Sequence, residues 1–230
     1  MKYFSQLIDS RRFSAALERE FYQRPTLDVA RDLLGKVVVR ITAEGRVAVR
    51  LTEVEAYLGP EDPACHTAGG RRTPRVRSMW GQAGLAYVYL IYGIHNCLNV
   101  VTVGDEAGEA VLLRGGVVVA GEALARRRRG RGPSRKDLVN GPGKLCHALA
   151  VDRSLDGCDL CDAGSALWLF DDGCSVGDAQ IERTPRIGVD SAGEAAEWPF
   201  RFVVDLAVCD QLSGNVGEGG RHEGDRFWSG

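Results

Sequence analysis

The sequence is poor in the residues that several large function classes require. It holds four histidines and two methionines in 230 residues, with no His-x-x-x-His pair and no close Cys/His set, so a zinc centre finds too few ligands at usual spacings. No apolar run reaches the roughly 18 residues of a membrane span, and Asp9, Arg11 and Arg12 stand where a signal peptide needs its apolar centre. A protein without membrane association is therefore expected, cytoplasmic and nucleoid-associated in a bacterium or nuclear in a eukaryote. Seven cysteines, an odd number spread from Cys65 to Cys209, suit reduced thiols better than a disulfide framework. Cys158, Cys161 and Cys174 hint at a metal site but lack a fourth ligand, and incidental thiols are the reading. Internal repeats and dividing linkers are missing too, which leaves one ordinary globular domain of 44% apolar and 26% charged residues.

Charge is present, but segregated. The formal net charge of −2 hides a central segment, residues 36–150, with 17 basic and 10 acidic groups, and a C-terminal segment, 151–230, with 6 basic and 16 acidic. The field is local, so an overall pI near 6.1 does not exclude a polyanionic partner.

The basic segment also carries the chemistry. Leu51-Thr-Glu-Val-Glu-Ala-Tyr-Leu58 alternates so that a strand places Glu53, Glu55 and Tyr57 on one face and Val54, Ala56 and Leu58 on the other. Gly59 to Pro63 breaks the chain, and His66 follows close enough to fold back over the polar face. Spacing alone leaves three readings open: solvated strand residues, a weak metal set of Glu53, Glu55 and His66, or a convergent carboxylate, phenol and imidazole. The arginine-rich run Arg71, Arg72, Arg75 and Arg77 comes next. Residues 85–91 and 97–103 then read as a hairpin joined through Tyr92-Gly-Ile-His-Asn96. Tyrosines in such strands are often plain packing, but an aromatic at a hairpin tip beside an arginine cluster is what a minor-groove wedge needs.

Elsewhere, residues 3–22 read as an amphipathic helix and Thr26 as the N-cap of a short helix ending at Gly35. Strands are expected at 36–41, 47–51, 111–119, 167–170 and 200–204. The 111–119 strand carries Arg114 into the interior, where it needs a carboxylate, Glu55 being the natural partner. A helix over 121–129 ends in four arginines and runs into a basic loop, 130–136, suited to phosphates. Gly141-Pro-Gly-Lys144 turns into a helix over 145–150.

Taken together, Thr52-Glu-Val-Glu-Ala-Tyr-Leu-Gly-Pro-Glu-Asp-Pro-Ala-Cys-His66, Thr73 to Met79, and Tyr87-Val-Tyr-Leu-Ile-Tyr-Gly93 with Asn99 resemble the alkyladenine (3-methyladenine) DNA glycosylase family. Val111 to Arg114, Gly141 to Cys146 and Arg186-Ile-Gly-Val189 extend the resemblance in order, from about Phe21 to Leu206. It implies a mixed α+β single domain, a curved antiparallel β-sheet surrounded by helices with a protruding hairpin, spanning 21–213 after an N-terminal helical extension (1–20) and before a disordered tail (214–230). It also implies a monofunctional enzyme that flips 3-methyladenine, 7-methylguanine, hypoxanthine or ethenoadenine out of double-stranded DNA as a monomer and hydrolyses the N-glycosidic bond, with no cofactor or metal.

The resemblance likewise implies the site. Glu55 matches the water-activating carboxylate and Arg114 the residue that orients it. Tyr57, His66 and Tyr89 match the base-binding pocket, Asn99 the position that clashes with guanine, and Ile187 a backbone contact lining the pocket. Tyr92 matches the intercalating wedge. Met79, Arg71, Arg72, Arg75, Arg77 and Lys144 match DNA contacts. His95 and Asn96 depart from the larger aromatics of vertebrate relatives at the tip. Two rival readings are a damage-binding module without catalysis and a metal-dependent hydrolase built on Glu53, Glu55 and His66.

Overall fold

Val37, Val38 and Val39 are all buried, and that continuous apolar run shows that both faces of the sheet are covered. In the computed structural model, which describes residues 15–130 and 132–205, alternate residues of strand β1 (Val37–Thr42) feed two cores. Val38 joins the main cluster, while Val37, Val39 and Ile41 pack with Trp168 and Phe170. The other strands are β2 (Gly45–Tyr57), β3 (Ala86–Ile91), β4 (His95–Thr102), β5 (Glu109–Ala120), β6 (Leu167–Phe170), β7 (Ile181–Thr184) and β8 (Arg201–Val204).

They form one mixed α/β domain around a curled antiparallel sheet of order β3-β4-β5-β2-β1-β6, with β8 on β2 and β7 on β8. The 13-residue β2 organises it. One edge pairs with β5, while the other pairs with β1 over Gly45–Arg50 and with β8 over Glu53–Glu55. Register shifts on either side of Glu53 twist the strand at the first carboxylate and just before the second, Glu55. Close approach there requires Gly116, since a Cβ would lie 2.1 Å from the Arg50 carbonyl oxygen. Among the described residues four α-helices lie around the sheet: α1 (Arg19–Tyr22), α2 (Thr26–Leu33), α3 (Glu122–Arg129) and α4 (Pro142–Leu149).

Three expectations need correction. Among the described residues the N-terminal helix is confined to α1. Residues 15–18 run along β6 instead, and Leu17 N–H donates to the Leu169 carbonyl at 2.8 Å. Thr26 begins α2 rather than capping it, because its hydroxyl is drawn into a buried cluster with Thr102 (2.7 Å) and Glu109 (2.5 Å). β7 went unanticipated, having too few apolar residues to stand out. Residues 1–14 and the tail 214–230 lie outside the described residues.

Candidate active site

Period-two alternation on four neighbouring strands brings the site to one face. Register places Tyr87 of β3 opposite Asn99 of β4, Asn99 opposite Leu112 of β5, and Leu112 opposite Glu55 of β2, a single row across the sheet. One pleat along in one direction Tyr89, Cys97 and Arg114 share that face, and one pleat along in the other Tyr57, opposite Ala110, does so too. Above it lies a cavity of about 550 Å³ lined by residues of this face together with His66, Met79, Lys144, Ile187 and the hairpin tip.

Glu55 is fully buried beneath the cavity and held by three donors. Tyr57 Oη donates to Oε2 at 2.9 Å, Arg114 Nη1 to Oε2 at 3.2 Å, and the Ile187 amide to Oε1 at 2.8 Å. Burial raises its pKa above the ordinary carboxylate range, against the opposing pull of Arg114, the Ile187 amide and the Tyr57 hydroxyl. Glu53 differs. Burial pushes it upward too, but hydrogen bonds from Arg201 (2.7 Å) and Arg114 (2.9 Å) outweigh that and lower its pKa. The two environments thus push the carboxylates apart, Glu53 below the ordinary range and Glu55 above it. The metal set of Glu53, Glu55 and His66 does not assemble: guanidiniums engage both carboxylates, and His66 Nδ1 lies 2.9 Å from Tyr87 Oη.

The aromatic wall is ordered by the same contacts. Tyr87 and Tyr89 stack at 5.3 Å, and the His66 ring meets Tyr89 edge-on at 4.6 Å. Burial, followed by the charges of Arg75 and Arg71, depresses the His66 pKa to about 4, so the ring is neutral at physiological pH. Asn99 is buried, and its side-chain amide donates to the Tyr87 carbonyl at 3.0 Å.

At the hairpin tip Tyr92 and Ile94 stand 82% and 72% exposed. Tyr92 (φ 53°) and Gly93 (φ 71°) form the positive-φ pair that a tight hairpin turn needs, closed by a hydrogen bond from Ile94 N–H to the Ile91 carbonyl at 3.2 Å. A tyrosine tolerates that conformation poorly, so the turn holds its ring out at some cost in backbone strain. Arg71, Arg72, Arg75 and Arg77 are exposed on the segment that follows His66. Arg75 lies 5.2 Å over the Tyr89 ring, and Arg72 stacks 4.0 Å from Trp80 while pairing with Glu106. Lys144 lines the cavity, its ammonium 2.7 Å from Asn140 Oδ1.

Met79 departs from expectation. It is 2% exposed and packs with Cys65, Val76, Tyr87, Val101 and Ala110, so it supports the cavity wall and presents no surface for DNA. The run Arg126 to Arg129 also departs. Arg126 bonds Glu122 and the Pro133 carbonyl, Arg128 bonds Thr42, Glu44 and the Ala148 carbonyl, and Arg129 bonds the Leu138 carbonyl. Three of the four arginines staple α3 to its surroundings.

Sequence reasoning passed over Tyr87, Arg201, Asp62 and Arg186 as individual residues. Tyr87 sits two residues from Tyr89 and was findable from the alternation. Arg186 and Asp62 are 124 residues apart and pair only in three dimensions.

Comparison with known proteins bears on the family of the chain. The family described as methylpurine-DNA glycosylase matches residues 20–207. A protein of Methanocella arvoryzae named as a candidate 3-methyladenine DNA glycosylase is 50% identical over 193 residues, 84% of this chain and 94% of its own length. A Streptomyces avermitilis protein of the same name is 46% identical over 190 residues, 82% and 87% of the two chains. The mouse (Mus musculus) DNA-3-methyladenine glycosylase is 43% identical over 225 residues, 92% of this chain and 66% of the mouse protein.

Proposed function

The chain belongs to the methylpurine-DNA glycosylase family, and from that premise we propose that it takes alkylated or deaminated purines out of duplex DNA and hydrolyses their N-glycosidic bond with water activated by Glu55. The family is one of DNA-repair glycosylases, hydrolases acting on the bond between base and sugar. The lesions proposed are 3-methyladenine, 7-methylguanine, hypoxanthine and ethenoadenine.

One observation carries the mechanism: Glu55 is fully buried under a tyrosine-lined cavity with three donors on its carboxylate and its pKa raised. A flipped nucleotide sets its base between the cavity walls, Tyr57 on one side and His66 with Tyr89 on the other. As the bond from C1′ to the base nitrogen lengthens, its electron pair leaves with the base and the sugar gains oxocarbenium character. The Glu55 carboxylate stabilises that cation, takes a proton from water, and the water oxygen bonds to C1′. Arg114, tied to Glu53 and Glu55 together, fixes the carboxylate's orientation.

Asn99, rigidly bonded to Tyr87, excludes the exocyclic amine of guanine, and selection is partly by rejection. Tyr92 fills the gap that the extruded base leaves in the stack. Arg71, Arg75, Arg77 and Lys144 meet phosphates, and the protein acts as a monomer, since the wedge, the pocket and these cations all belong to one chain. Lys144 is a contact rather than a nucleophile, so no Schiff base forms and the strand stays intact.

The test is base release, with EDTA present, from a duplex carrying one hypoxanthine or ethenoadenine, comparing the protein with Glu55→Gln. Release is expected to fall by a factor of about 100 to 10,000 in the variant with affinity for the lesion duplex retained. Tight binding to damaged duplexes without release of any of the four lesions would leave a damage-binding module instead.

A further inference from the structure

Arg186 is the most deeply buried cation of the described chain that the mechanism leaves unused. Its side chain and that of its partner Asp62 are both 0% exposed. Nη2 donates to Asp62 Oδ1 at 2.9 Å, Nη1 contacts Oδ2, and the same nitrogens reach the Ala56 carbonyl at 3.0 Å and the Ala195 carbonyl at 3.2 Å. Its Nε is buried with no hydrogen-bond partner. A buried ion pair with a donor left over is weak as a source of stability, because desolvation offsets much of the attraction. What this one does is join parts of the active site.

Four of those parts meet at the guanidinium. Ala56, whose carbonyl it binds, lies between Glu55 and Tyr57 on β2. The guanidinium carbon stands 4.8 Å from the centre of the Tyr57 ring. Asp62 accepts the amides of Leu58 (3.1 Å) and Ala64 (3.0 Å) and so shapes the loop that delivers His66. The next residue, Ile187, turns its amide onto Glu55 Oε1 at 2.8 Å. Ile187 is itself 53% exposed, so packing of its side chain does not hold that amide in place. The anchor is its neighbour.

We infer that the Arg186–Asp62 pair is a positioning device for the reaction, setting the Ile187 amide against the Glu55 carboxylate and the Tyr57 ring against the base. Arg186 touches neither substrate nor reacting atoms. It acts through the amide it holds and the ring it backs. This rests on Glu55 being the proton acceptor proposed above.

Loss of the pair has a signature that general destabilisation lacks. The groups facing Glu55 are Arg114 of β5, Glu53 and Tyr57 of β2, Tyr89 of β3, Cys97 of β4 and the Ile187 amide. The amide favours the ionised carboxylate, so its withdrawal raises the Glu55 pKa further. A base that works ionised then loses activity at a higher pH on the acidic side of the profile.

The experiment uses Arg186→Met with Asp62→Asn, which removes both charges together, and Arg186→Lys, which keeps the charge but not the fork. Release of hypoxanthine under single-turnover conditions is followed against pH, and the Glu55 carboxyl is titrated by carbon-13 NMR in each protein. Expected are a fall of about 10- to 100-fold in the release rate of the double variant, little change in affinity for the lesion duplex, and an acidic limb and Glu55 titration both displaced to higher pH. Arg186→Lys is expected to move the same way by less. A folded double variant, or Arg186→Lys if the double variant does not fold, whose Glu55 titrates as in the parent overturns the inference. The titration is read without turnover, so a parent protein that releases no base counts against the proposed reaction and leaves the positioning question decided by the NMR.

Discussion

The two ends of the functional stretch are built on opposite principles. At the carboxylate end Glu55 has no exposed surface, and every oxygen is met by a donor held from a different part of the chain. At the hairpin end, 37 residues later, Tyr92 is 82% exposed on a three-residue turn whose first two residues have positive φ. The first is over-determined by contacts, and in the proposed mechanism it serves the bond-breaking step, where misplacement by an ångström is costly. The second projects from the fold on its own turn, and in the proposed function it serves recognition, where an apolar ring must remain available to a partner. Rate is therefore expected to depend on one end and affinity on the other.

The strongest way to break that comparison is Arg114→Met. It strips Glu53 and Glu55 of a shared, largely buried partner, and a loss of about 3 kcal/mol in urea unfolding is expected together with near-abolition of base release. Unchanged stability would mean that Arg201 and Tyr57 suffice to hold the pair. Next in size, Tyr92→Ala is expected to weaken binding to a lesion duplex by about tenfold, the scale of one lost stacking contact, with its melting temperature unchanged. A comparable loss of stability would show that the tip is part of the fold after all.

The arginines sharpen the contrast further. Arg75→Ala is expected to reduce the slope of log affinity against log salt by about one. Arg128→Ala, whose guanidinium bonds Thr42, Glu44 and Ala148, should lower thermal stability and leave the salt slope unchanged. The last expected effect concerns His66 and shows only below neutral pH. Its folded pKa of about 4 lies below the ordinary 6.5, so the unfolded chain takes up a proton first as pH falls. Its contribution to stability is accordingly whole above about 6.5 and lost between there and 4. His66→Gln should flatten the pH dependence of the melting temperature in that window, and an unaltered curve would place the dependence elsewhere.

Two arginine-rich stretches show how far composition carries. Arg71 to Arg77 and Arg126 to Arg129 look alike as runs of positive charge, yet the arginines of the first stand exposed and the second is largely consumed by helix and loop carbonyls. Met79 makes the same point, since its arginine-rich neighbours suggested a surface that burial denies. The N-terminal helix likewise yielded over 15–18 to a pairing with β6 that amphipathic spacing does not encode.

By itself the sequence determined the local periods: the alternation that puts Glu53, Glu55 and Tyr57 on one face, the hairpin with its exposed tyrosine, and the motif order that marks the family. Those features depend on neighbours a few residues apart, where backbone geometry leaves little choice. Only the tertiary structure decided which carboxylate is held as a counter-ion and which is raised toward base strength. It also decided that Arg186 and Asp62 meet, and that the Ile187 amide reaches Glu55 across 132 residues. Desolvation and long-range hydrogen bonding set those properties, and neither exists until the strands are assembled and water has left the space between them.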